Sequence, residues 1–195
     1  MAKNRDFSFK GKVSHNAEKK DREMSFSYLV MPKDIEVYVP DPGTMLLDII
    51  PYFVTDENHP DRDEEYKEAL VDDPWYKRPF KIHRSIGPDG DTVVCLSSVG
   101  KKCPICEYRS KMKMEIGNNP TDQEKKDLEA LRPKDRALYY VVPMDTRNFD
   151  EDFHIMDISY HLFQKLLSIE AKEDRDNDEF LHPEEGKSLE IRWDK

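Results

Sequence analysis

The stretch H-R-S-I-G-P-D-G-D-T-V-V-C-L-S-S-V-G-K-K-C-P-I-C, His83 to Cys106, decides how this chain is read. It contains one histidine and all three cysteines of the sequence, in the order His83, Cys95, Cys103, Cys106. The last two close a C-P-I-C knuckle. Zinc takes thiolate and imidazole ligands, and adjacent ligands come best from a C-x2-C turn. In such a turn, backbone N–H groups can point at the sulfurs and stabilise their charge. His83, Cys95, Cys103 and Cys106 therefore make a complete tetrahedral set for one structural Zn2+, with no cysteine left over. Phe80 to Ile86 and Thr92 to Cys95 flank Gly87-Pro88-Asp89-Gly90 and read as a β-hairpin. That hairpin would bring His83 close to Cys95, with the knuckle folding across them.

Two other readings use the same residues. His83 could be an ordinary strand histidine and Cys95 a buried thiol, with Cys103 and Cys106 as a redox pair; no βαβ pattern surrounds them. A deaminase-type catalytic zinc needs H-x-E and P-C-x-x-C. Here His83-Arg84-Ser85 lacks the glutamate, Lys102 stands where the proline would be, and Cys95 supplies a fourth ligand.

Outward from this segment the chain reads as short strands with long insertions. Glu23 to Met31 alternates as a strand, and Ile35 to Val39 is β-branched and aromatic before the Pro40-Asp41-Pro42-Gly43 turn. Thr44 to Val54 is the most apolar run, with Pro51 marking a bulge or an edge. Asp56 to Asp73 is an acidic insertion with a short helix expected over Glu64 to Val71. After the knuckle, Glu107 to Ile116 reads as a helix, and Thr121-Asp122-Gln123-Glu124 fits a capping box for a helix to about Leu131. Ala137 to Met144 is a second core strand, and Phe153 to Ile158 another. Ser159 would cap a helix whose Leu162, Phe163, Leu166 and Leu167 are expected in the core. Ala171 to Gly186 reads as an acidic loop. Ser188 to Trp193 alternates as a strand with no following partner. The expectation is a mainly β fold with minor α, built as a small barrel. Residues 1–22 would form a flexible arm and 23–195 the body. Within the body lie a zinc subdomain at about 75–116 and acidic insertions at 56–73 and 170–187.

The 195 residues suffice for one core, so zinc would organise a region and not carry the whole fold. Thiolate ligation needs a reducing compartment, no apolar run approaches a bilayer span, and the first residues lack a signal-peptide core. The expectation is cytoplasmic, with no membrane partner. No Ser/His/Asp spacing, phosphate-cradling glycine loop or carboxylate pair stands out, so no enzyme is expected. His15, His59 and His182 read as solvated loop residues; His154 and His161 flank a strand-to-helix junction without an evident partner.

The net charge of −10 argues against a nucleic-acid partner until its distribution is considered. Trp75 to Lys113 carries Lys77, Arg78, Lys81, Arg84, Lys101, Lys102, Arg109, Lys111 and Lys113 against few acids, and Lys134 and Arg136 follow. Trp75, Tyr76, Phe80, Tyr108, Tyr139 and Tyr140 lie among or near them. Cations neutralise phosphates while aromatic faces stack on exposed bases, the combination used for single strands. The alternative is a solvated mixed-charge surface with packed aromatics. On an alternating strand Tyr139 and Tyr140 point to opposite faces, so at most one of them stacks.

With these residues in view, C-L-S-S-V-G-K-K-C-P-I-C-E-Y-R-S-K at Cys95 to Lys111 resembles the zinc region of the helix-destabilising, single-stranded-DNA-binding proteins of T-even and related bacteriophages. There a histidine is followed by a C-S-S-type segment and C-P-V-C-x-Y-x-S-K. Met45 to Val54 looks like that family's early barrel strand with its proline, Leu138 to Asp145 like its central strand, and Phe153 to Leu167 like the following strand and helix. The likeness spans roughly residues 44 to 193. It implies an OB-type barrel with an inserted zinc subdomain and single-stranded DNA in the cleft between them. Ligand roles carry over to His83, Cys95, Cys103 and Cys106, and contact roles to Tyr108, Lys111 and Tyr139. Family members coat strands in replication, recombination and repair, self-associate along DNA and recruit replication proteins. The family's basic arm is represented here only by Lys3, Arg5, Lys10 and Lys12. Its acidic tail has no counterpart before Lys195, and Asp56 to Asp73 has none in the family. A zinc-stabilised protein-interaction module is the competing expectation.

Overall fold

A computed structural model describes residues 28–32, 34–144, 146, 148–173, 180–182 and 186–193. The chain divides into two units, Met1–Val30 and Met31–Lys195, and the fold below belongs to the second. The expected arm and most of the strand expected over Glu23 to Met31 lie outside the described residues. The described part of that strand, from Tyr28, is turn and bend.

The longest strand is β7 (Lys134–Met144); the others are β1 (Glu36–Tyr38), β2 (Gly43–Ile50), β3 (Tyr52–Phe53), β4 (Pro74–Trp75), β5 (Arg78–Ile86), β6 (Asp91–Val94), β8 (His154–Ser159) and β9 (Leu189–Trp193). One edge of β7 pairs with β8. The other is shared, with β5 along its first half and β2 along its second, all antiparallel. β1 joins β8 in parallel, β9 joins β2, and β6 joins β5. This makes a seven-stranded mixed sheet, and β3 and β4 form a separate ribbon. The mainly β expectation holds; among the described strands β1 and β9 end the pairing path, and no ladder joins them. Pro51 separates β2 from β3, because a residue without an N–H interrupts the ladder. The C-terminal strand that lacked a partner in sequence finds one in β2.

Alternation along β7 fixes the two faces. Ala137, Tyr139, Val141 and Pro143 are buried, while Arg136, Leu138, Tyr140 and Val142 are half-exposed. The buried face packs with Tyr38, Leu47, Ile49, Met156 and Ile158 against Phe163 and Leu167 of α3 (Tyr160–Glu173). Leu162 and Leu166, expected in the core, are 62% and 59% exposed. They form a second i, i+4 pair, turned about 100° from the one that faces the sheet.

The other helices are α1 (Pro104–Ile116) and α2 (Asp122–Ala130). α1 begins inside the knuckle, with Cys103 as its N-cap and Pro104 at its first position. α2 opens on the expected capping box: Thr121 accepts from the Glu124 N–H, and the Glu124 carboxylate accepts from the Thr121 N–H. The helix expected over Glu64 to Val71 does not form. Lys67, Ala69 and Asp72 all have positive φ, which a right-handed helix excludes. Asp63 instead accepts N–H bonds from Glu65 and Tyr66, and pairs through its backbone with Glu68.

Candidate metal centre and nucleic-acid interface

The hairpin, the knuckle and a carbonyl from farther along the chain assemble the metal centre. In the β5–β6 register Ile82 faces Val94 and His83 faces Val93; the Cys95 N–H donates to the Lys81 carbonyl at 2.8 Å. His83 and Cys95 thus sit on one face of the hairpin. A single 3-10 turn, Leu96–Val99, ends at Gly100, whose φ of 69° is the left-handed turn that leads into the knuckle. Cys103 and Cys106 come from the N-terminus of α1, where the helix dipole favours thiolate.

His83 Nε2 lies 3.5 Å from Cys103 Sγ and 3.6 Å from Cys106 Sγ, and Cys95 Sγ lies 3.5 Å from Cys106 Sγ. The four ligand atoms all fall within 4.8 Å of one another and could hold one metal ion. His83, Cys95 and Cys103 are buried and Cys106 half-buried. The Leu131 carbonyl, 3.1 Å from His83 Nδ1, can only accept. Nδ1 therefore carries the proton and Nε2 turns its lone pair toward the sulfurs, the arrangement that fixes a ligating imidazole. Burial, together with the neighbouring Cys95 and Cys103 thiols, pushes the Cys106 thiol up. Burial acts the same way on Cys103, but N–H groups of Cys106 and Leu96 aimed at its sulfur prevail and lower it. Three sulfurs this close favour charge only where a cation shares them.

The residues expected to contact a strand separate into groups. Arg78 and Tyr140 open into one hollow of about 320 Å³, with Tyr52, Phe53, Asp56 and His59 along its sides. Phe80, Lys81 and Arg136 line another of about 610 Å³, together with Ser97, Ser98 and Gly100 beside the metal centre. Tyr108, Lys111, Arg84, Lys101 and Lys102 are exposed but border neither hollow. Arg109 is half-buried and its Nε donates to the Leu128 carbonyl, tying α1 to α2.

Two expected contacts, Tyr139 and Lys77, are corrected by burial, and Trp75 is committed through its indole N–H. Tyr139 faces the core: it is 1% exposed, donates its hydroxyl to Gln164 Oε1 at 2.8 Å and meets Phe163 edge-on. Burial raises its phenol far above the usual range. Gln164 in turn donates to the Tyr76 hydroxyl. Lys77 is buried, ion-paired with Asp61 at 2.8 Å and set over the Trp75 and Tyr76 rings. Trp75 is half-buried with its indole N–H donated to the same Asp61 carboxylate. Lys77 and the Trp75 indole N–H thus hold the acidic insertion through Asp61, while the Trp75 ring still borders a hollow of about 460 Å³ with Tyr52 and Phe53.

The insertion neutralises further cations. Asp56 binds Arg78 at 2.7 Å, and the Arg78 hydrogen bond, with the Asn58 N–H, holds that carboxyl below its ordinary range. Lys81 pairs with Asp135 and Arg136 with the buried Asp157. Among the described residues Arg84, Lys101 and Lys102 have no ion pair. His59, read as solvated, is 3% exposed. Its Nδ1 accepts from the Asp61 N–H, so Nε2 carries the proton and donates to the Tyr52 hydroxyl at 2.8 Å; that hydroxyl donates to the Lys77 carbonyl. His154 is buried, with Nδ1 2.7 Å from the Asp152 carbonyl, and exposed His161 lies 3.6 Å from Asp135. Leu131, Asp56, Asp61 and Gln164 had no signal in the sequence, because each acts on a residue far along the chain. No protein-family profile, curated protein or solved structure matches the chain. No helix among the described residues is long and apolar enough to cross a membrane.

Proposed function

We propose that this chain is a non-enzymatic, sequence-tolerant single-stranded-DNA-binding protein built on a structural zinc. It would coat exposed strands in phage DNA replication, recombination and repair, on an OB-type barrel with an inserted zinc subdomain. The observation that carries the reading is the half-exposed sheet face that sets Tyr140 and Arg78 around an open hollow beside Phe53. An aromatic face for a base next to a guanidinium for a phosphate is the minimum unit of sequence-tolerant binding. The neighbouring cleft brings Phe80 and Lys81 against the segment that carries Cys95, which supports a path between sheet and metal region.

The donor set supports zinc. A tetrahedral ion with bonds of about 2.3 Å to sulfur and 2.0 Å to nitrogen has S···N edges of about 3.5 Å and S···S edges of about 3.8 Å. The spacings of 3.5 and 3.6 Å about His83 Nε2 fit those edges. Four protein ligands leave no open position, so the ion's role is to lock the hairpin onto α1. Titration with a fluorescent oligo-dT at rising salt tests the function; absent or salt-insensitive binding would refute it.

A zinc-stabilised protein-interaction module is the second reading, favoured by the exposed stripe Leu162, Leu166 and Ile169 on α3 and by cations already paired within the chain. Oligonucleotides that leave the intrinsic fluorescence unchanged would select it.

A further inference from the structure

We infer that Asp56 is an internal competitor for phosphate, a carboxylate seated on Arg78 that a bound strand must displace. The inference rests on the single-strand reading and concerns how that site is regulated. Arg78 lies at the first position of β5, opposite Leu138 and on the Tyr140 side of the sheet. Among the described residues it is the one lysine or arginine that lines this hollow, and the Asp56 carboxylate holds it at 2.7 Å.

The two anchors of the acidic insertion differ in kind. Asp61 is a latch: it accepts both from buried Lys77 and from the Trp75 indole, and the backbone beside it closes on His59. Asp56 is exchangeable, because its side chain and that of Arg78 are 40% and 38% exposed. Half-exposed ion pairs contribute little to stability and are screened by salt, so a phosphate can replace the carboxylate without unfolding the insertion. The Asp56 Oδ1 atom also caps its own turn by accepting the Asn58 N–H at 2.9 Å, which keeps the carboxylate aimed when Arg78 lets go. A strand entering the hollow therefore exchanges one protein anion for another, and the insertion sets a threshold that weak or short ligands do not pass.

The substitution Asp56→Asn keeps the turn acceptor and removes the charge. Binding of a labelled oligo-dT is measured over a salt series for the wild type, D56N, R78Q and the D56N/R78Q double variant. E57Q, which removes a neighbouring exposed carboxylate that makes no ion pair with Arg78, reports the general effect of net charge. D56N is expected to tighten binding about three- to tenfold at low salt and to steepen the log K against log salt slope by about 0.7, one added phosphate contact on a single strand. E57Q should leave the slope unchanged, and the D56N gain should vanish in the R78Q background. If the wild type binds but D56N matches it, or the gain survives without Arg78, the competitor role is wrong and the binding reading stands. If none of the five proteins binds at low salt, both fall.

Discussion

Tyr139 and Tyr140 occupy consecutive positions of β7 and so serve opposite sides of the sheet. Alternation in the sequence already requires this, but it cannot say which side is covered; α3 does that, by laying Phe163 and Gln164 over Tyr139. On the proposed reading, stacking therefore falls to Tyr140 and not to Tyr139. Tyr140→Ala should weaken oligo-dT binding by about 1–3 kcal/mol, roughly 5- to 150-fold, with urea unfolding of the same variant separating this from the lost edge-on contact with Tyr52. Tyr139→Phe should leave affinity unchanged while stranding Gln164 Oε1, at a cost of about 1–3 kcal/mol in urea unfolding. The reverse pattern would restore the assignment to Tyr139. His59 gives a second residue-level expectation. Burial and the nearby Arg78 charge lower its pKa, and a second ring proton would face the Asp61 N–H that Nδ1 now accepts. The unfolded chain then binds a proton near pH 6.5 that the folded chain refuses. This part of the stability is complete above that pH and falls as the pH drops through 6.5 toward the lowered folded value. The urea midpoint should decline between about pH 7 and 5, and His59→Gln should flatten the decline; a midpoint that rises on acidification would contradict it. His59 looked solvated because its sequence neighbours are polar, whereas its burial comes from Tyr52, seven residues before it, folding beneath the insertion.

At the scale of elements, the hairpin, knuckle and capping box were legible because each rests on local rules: glycine turns, C-x2-C geometry and reciprocal caps. The misread elements rest on choices that local pattern leaves open. Glu64 to Val71 has helix-compatible residues, yet Asp63 offers its carboxylate to two N–H groups and the chain turns left-handed at Lys67 and Ala69. In α3, two apolar i, i+4 pairs compete for one sheet face, and only contact with Tyr139 selects Phe163 and Leu167. The four candidate ligands span three elements, so a bound ion would join β5, the end of β6 and α1. One equivalent of zinc per chain is expected by metal analysis. Cys106→Ser should lose it and lower Tm by about 5 °C or more, since a protein of this size moves about 2–4 °C per kcal/mol. The cobalt-substituted protein should show the absorption of a tetrahedral thiolate site. Retention of the ion by Cys106→Ser, or a spectrum with bound water, would contradict a closed site.

For the whole molecule, the balance of charge matters more than its sum. A net charge of −10 disfavours a polyanion at long range, and the pairs Asp56–Arg78, Asp61–Lys77, Asp135–Lys81 and Asp157–Arg136 carry that opposition into the basic stretch itself. The sequence displayed a basic region because acids are sparse along that stretch; folding brings acids from the insertion, β7 and β8 against it. What stays available in that stretch, among the described residues, is exposed Arg84, Lys101, Lys102 and Lys113, together with an exchangeable Arg78. Binding through about four such cations should give a log K against log salt slope near −3 for a single strand. The most direct measurement is the affinity for a labelled oligo-dT from low to moderate salt, read alongside Tyr140→Ala. The account predicts tight binding at low salt, a slope of about −2 to −3.5 and a clear loss in Tyr140→Ala. A protein that ignores the oligonucleotide at low salt, or binds it with neither salt dependence nor sensitivity at Tyr140, would contradict it.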